Sequence, residues 1–215
     1  PAAFIHPDFC AAVVLHPSRI VKSTLLSSLP SIDQLPALPP GPEGVDPNAL
    51  VKKLDPRKVL RVIVLADPFP GGNVAFFPAV VIQFHDDTDV EAIFKEAFAD
   101  ATPAKAGAHS CLTSEKGAVA KAPLACYAAG PRTAIVAPLP TLTKMFAAAD
   151  AGPSVLLKQL RGTTLDNDAV IEFRAEPLIA GMARSMGKTP EEIAKDPGNP
   201  QLKMALDNLS GVSLV

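Results

Sequence analysis

Tryptophan is absent from the chain, tyrosine occurs once and cysteine three times. Without aromatic platforms in a basic groove, single-stranded nucleic acid has nothing to stack on. The 20 basic and 22 acidic residues leave a formal net charge of −2. Such a balance gives no field to draw in nucleic acid or an anionic membrane. Nucleic acid is therefore not an expected partner. No apolar run reaches the roughly 20 residues that span a bilayer, so no transmembrane span is expected. The longest candidates, 59–66 and 74–84, have strand length. The nucleophile elbow G-x-S-x-G is missing. The glycines of 41–44 and 70–72 are turn glycines, because no G-K-[ST] follows them. Cys10, Cys111 and Cys126 form no C-x-x-C pair, which argues against a zinc site. Cys111 and Cys126 lie in two short apolar segments that could meet across a hairpin. A disulfide between them and three buried thiols both stay open.

What is present is apolar and rich in proline. Hydrophobic residues make up 48% of the 215 positions, enough for a sizeable core, and proline contributes 23. The ten phenylalanines supply nearly all the aromatic volume and read as core. The chain opens on Pro1 and closes on the strand-like "NLSGVSLV", which reads as a processed product or part of a longer one.

Four segments share a plan: 11–29, 79–98, 133–149 and 169–186. Each opens with β-branched or apolar residues, passes a polar or proline turn and shifts to helical spacing. In the second, Val90, Ile93, Phe94, Ala97 and Phe98 fall on one helix face. Further strands are expected over 59–67 and 108–114. A hairpin is expected from 124–130 to 133–138, with Gly130, Pro131 and Arg132 at its turn. Residues 101–107 read as a short loop, and 152–162 as a capped helix. Thr189, Pro190 and Glu192 open a helix with a capping box. The expected fold is α+β: a mixed, mainly antiparallel sheet of recurring strand–helix units with helices packed on one face. It forms a single domain over 1–215, open to division into two similar halves, 1–130 and 131–215. Residues 29–47 make a Pro-rich surface excursion, part polyproline.

The densest set of ligand-type side chains is His85, Asp86, Asp87 and Asp89. Calcium would require alternating ligands with a glycine at the bend, and that pattern is absent. Helix initiation explains the cluster. Thr88 and Glu91 fit a capping box, Asp89 suits the first turn, and Asp86 and Asp87 form the turn leaving the strand. The four histidines, His6, His16, His85 and His109, share no metal-ligand spacing on one helix. His6 and His16 each precede a proline and read as half-exposed edge residues. No catalytic, cofactor-binding or metal site is therefore assigned, and no cofactor is expected. Asn208, Leu209 and Ser210 fit a glycosylation acceptor, a signal that depends on the host.

The phrases "FCAAVVLHPSRIVKSTLLSSLP", "VVIQFHDDTDVEAIFKEAF" and "CYAAGPRTAIVAPLPTLTKMFAAAD" stand in an order similar to that of large uncharacterised extracytoplasmic proteins of planctomycete-type bacteria. The chain departs from them in 101–123, where the similar proteins have a clear strand pair. The resemblance covers most of the chain but rests on structural motifs. It implies a bacterial exported or envelope-associated protein with a mixed sheet, and it carries no catalytic residues with it.

The expected role is a non-catalytic binding or structural module of the envelope or periplasm, such as an accessory subunit of a larger assembly. Protein partners would engage the Pro-rich arm 29–47 or pair with the terminal strand 211–215. One alternative is a hydrolase or metal-dependent enzyme whose site assembles from His85, Asp86, His109 and Glu172. Another is a carrier with an apolar pocket lined by Phe76, Phe77, Phe94 and Phe98.

Overall fold

The computed structural model describes residues 5–7, 9–22, 55–68, 76–119, 121–149 and 167–174, with positions 156, 158, 160, 180, 183, 187–189 and 192. The Pro-rich arm 29–47, the terminal strand 211–215 and the side chains of Phe76 and Phe77 lie outside the described residues.

Alternating apolar residues build the sheet. Its strands are β1 (Ala11–Leu15), β2 (Val59–Pro68), β3 (Phe76–Phe84), β4 (Thr102–Ala106), β5 (His109–Val119), β6 (Ala122–Gly130), β7 (Thr133–Pro138) and β8 (Ala169–Phe173). They lie side by side in the order β4-β5-β6-β7-β3-β2-β1-β8. Every pairing is antiparallel. β4 to β7 form a meander, β3 returns beside β7, and β8 closes the far edge against β1. The expected hairpin is present: Pro131 and Arg132 turn between β6 and β7, with Gly130 at φ +151°. A side chain is strained at that angle, so glycine suits the position.

Residues 102–106 are a strand, not part of a loop. β4 pairs with β5 from Thr102↔Thr113 to Ala106↔His109. Pro103 is tolerated because β4 is an edge strand. The segment 101–123 thus contains a strand pair.

Three helices follow strands: α1 (Pro17–Ile20) after β1, α2 (Val90–Ala97) after β3 and α3 (Leu139–Ala149) after β7. They do not share one face. Leu142, Met145 and Phe146 of α3 join Val14, Ile63, Leu65, Val81 and Ile135 in a first core. Leu156 and Leu160, in a further helical segment, cover the same face. Val90, Phe94 and Ala97 of α2, with Phe98, join Val59, Phe84, Leu112, Cys126 and Ala134 in a second core on the opposite face. Adjacent residues of one strand, such as Ala134 and Ile135, serve opposite cores because strand side chains alternate. The expectation of helices on one face is corrected on this point. Central strands apolar on both sides demand cover on both.

All three cysteines are buried thiols, none in a disulfide. Cys111 belongs to the first core and Cys126 to the second. Cys126 pairs across the strands with Leu112, next in chain to Cys111. The two thiols therefore point to opposite sides of the sheet, and the disulfide alternative does not form.

Candidate functional site

At one end of the first face the apolar alternation runs into polar residues. On β1, Ala12 and Val14 point into the first core, and the next position on that side is His16. On β2, Ile63 and Leu65 point the same way, and the position preceding them is Arg61. Arg61 stands opposite Gln83 of β3, and Gln83 opposite Thr133 of β7. The amide of His16 donates to the Asp168 carbonyl at 2.9 Å, just before β8. Asp168, His16, Arg61, Gln83 and Thr133 thus form a polar row across five adjacent strands, bordering the core.

His16 is only 4% exposed. It is not the half-exposed edge residue expected from the sequence. Pro17 turns the chain into α1 directly after it. Burial holds its pKa below the usual histidine value, and the neighbouring Arg61 charge adds to this, while a hydrogen bond to the Leu60 backbone opposes it. The imidazole is therefore neutral at neutral pH. Among the described residues, its Nε2 and the buried Nε of Arg61 have no hydrogen-bond partner. Two buried polar atoms left unsatisfied on residues of neighbouring strands are unusual, since most such groups are paired.

Around this pair stand three further groups. Ser18, buried at the start of α1, meets His85 with Oγ and Nε2 3.2 Å apart. That spacing suits a Ser–His nucleophilic couple. Ser18 is 5% exposed, however, so its oxygen is shielded from a substrate. Arg19 pairs with Asp168 at 3.3 Å, both side chains about half exposed.

The acidic cluster has separate structural duties. Asp89 caps α2, its Oδ1 accepting from the Ala92 amide at 2.9 Å. Thr88 is not the cap: its hydroxyl donates to the Asp86 carbonyl at 3.1 Å. The Thr88 amide is already held by the Pro131 carbonyl, so the helix begins one residue later than the capping-box reading placed it. Asp87 accepts from Arg132 Nε at 2.9 Å, tying the β3–α2 turn to the β6–β7 turn. Among the described residues, no three His, Cys, Asp or Glu side chains are grouped to hold a metal ion.

The four residues of the enzyme alternative are not brought together. His109 lies on β5, its ring 4.1 Å from Phe146 and 5.6 Å from Tyr127, centroid to centroid. Glu172 is buried on β8, beside Ala12. β5 and β8 are six strand spacings apart, on the order of 29 Å at about 4.8 Å each. His85 and Asp86 leave the end of β3 between them. Phe94 and Phe98 stack on each other at 4.7 Å and fill the second core.

Arg61 and Ser18 were not singled out by sequence. A signal existed for Arg61: period-two alternation through "VLRVIVLAD" puts it on the side of Ile63 and Leu65, where a charge is costly.

No protein-family model, curated protein or solved structure matches the chain.

Proposed function

We propose that the chain is a non-catalytic binding module of the bacterial envelope or periplasm that works as an accessory subunit bound to a protein partner. The observation that carries this reading is the second face of β3, β2, β1 and β8. Val13, Leu15, Val64, Ala66 and Val80 lie there half-buried. Ile171 on β8 is 38% exposed, and Leu60 of β2 is 39% exposed. The second core, under α2, takes up Val62 and Ile82 but none of these residues. A contiguous apolar face of this kind is costly to leave in water and suits a protein interface. Among the described residues β8 is an edge strand beside it, suited to strand addition. The extracytoplasmic setting rests on the resemblance to the planctomycete-type proteins. The further reading, that recurring strand–helix units descend from an old duplication, rests on the shared plan of the four sequence segments. No described helix is long and apolar enough to cross a membrane.

The test is native mass spectrometry of the protein isolated from its own cells, beside its denatured intact mass, for the natural chain and for Ile171→Lys. The expected result is a stoichiometric protein companion on the natural chain that is lost from the variant. Because Ile171 is already exposed, the variant's thermal midpoint should stay unchanged. A bare-chain mass for both proteins would sink the reading.

A further inference from the structure

We propose that His16 and Arg61 form a binding site for a small phosphate- or sulfate-type oxyanion, at the polar end of the first sheet face. The pair is built into adjacent strands, and its two orphaned atoms, Nε2 of His16 and Nε of Arg61, are both buried. Leaving a buried polar group unsatisfied is costly. A ligand that satisfies both atoms removes that penalty on binding.

The charge balance selects the sign of the ligand. Arg61 carries a permanent positive charge and presents donors in a fixed fork suited to oxyanions. Gln83 of β3 stands opposite it, and His16, just after β1, feels its charge together with those of Arg19 and Asp168, while Ser18 of α1 meets His85. The row's one carboxylate, Asp168, is paired with Arg19 at 3.3 Å and half exposed. The buried part of the row is therefore short of negative charge, and an anion would supply it. A cation would meet Arg61 directly. The depth of His16 limits the ligand to a small ion or to the phosphate end of a monoester.

Proton uptake accompanies binding. In the free protein burial and the Arg61 charge keep His16 neutral, with a lone pair on Nε2 that repels an anion. A bound anion offsets both effects and draws a proton onto Nε2, which then donates. Affinity should thus rise as pH falls through the histidine range.

Sulfate is the probe of choice because its own charge is constant over this range. Binding would be followed by calorimetry and by thermal midpoint at fixed ionic strength, with chloride as the control anion. Saturable sulfate binding is expected, about tenfold tighter for each unit by which the anion raises the His16 pKa, and so tighter near about pH 5.5 than near about pH 8. Arg61→Gln should abolish it. His16→Gln should keep weaker binding and lose the pH dependence. The His16 imidazole resonances, followed by NMR, should move to the protonated position on sulfate addition in the natural chain, a readout that does not depend on how the variants fold. Glycerol phosphate compared with inorganic phosphate separates a monoester from the free ion as ligand. The proposal is overturned if sulfate and chloride act alike, if sulfate binding survives Arg61→Gln (an adventitious ion only), or if the His16 resonances ignore sulfate.

Discussion

The start of α2 is decided at Asp89 and not at Thr88, although both residue types are good caps and lie next to each other. The decision belongs to the Thr88 amide, which is already committed to the Pro131 carbonyl at 2.8 Å. Asp89→Ala removes the bond to the Ala92 amide and should cost about 1 kcal/mol, as a lost cap does. Thr88→Ala should cost little, because its hydroxyl serves an exposed carbonyl. A pair of urea titrations settles the matter, and an equal or larger loss at Thr88 would restore the capping-box reading. Where no distant contact intervenes, local chemistry was legible to the residue. Thr189 and Glu192 exchange the two bonds of a capping box, at 2.7 and 3.2 Å. His16 was misread for the opposite reason. Its surroundings include Arg61, forty-five positions away in sequence, which no local pattern brings next to it.

At the scale of elements, strands were legible and their neighbours were not. Alternation in 59–67 and the Gly-Pro-Arg turn marked β2 and the β6–β7 hairpin. Nothing local said that β3 would lie between β7 and β2, or that β8 would lie beside β1, because those pairings are set by which faces find cover. The irregular middle of β5 shows the same limit. Its pairing with β6 shifts register between Ser114 and Val119. Asp100 holds this bulge, accepting from Ser114 Oγ at 2.6 Å and from the Lys116 amide at 2.9 Å. Gly117 then passes so close to its neighbours that an added Cβ would stand 2.8 Å from Phe98 Cε1 and 3.2 Å from Leu124 Cβ. Phe98 is itself pinned against Phe94 in the second core. Gly117→Ala should therefore destabilise the protein by about 1–3 kcal/mol, in the range of an overpacked core. It should also weaken amide protection in β5 and α2 more than in β1. An unchanged denaturation midpoint would mean that Phe98 swings clear without loss.

For the molecule as a whole, one sheet serves two cores, so neither can open without disturbing strands that line the other. The cysteines report on this arrangement. Cys111 sits in the first core, Cys126 in the second, and Cys10 just before β1, where its amide donates to Ala66 of β2. Burial raises the pKa of Cys111, and that of Cys126 is pushed up to about 12, again chiefly by burial. Thiolate is the reactive form, so both thiols are inert while folded. In denaturant, where opening is fast relative to labelling, each thiol should react in proportion to the population of the form that exposes it. If the two cores are one cooperative unit, Cys111 and Cys126 will be labelled at the same rate, with the same dependence on urea as global unfolding measured by circular dichroism. The intact mass before labelling should show three free thiols. Faster labelling of Cys126 would instead mean that α2 lifts from the second face while the sheet and its first core persist. In that case the second face would have two states, one of them offering still more apolar surface to a partner.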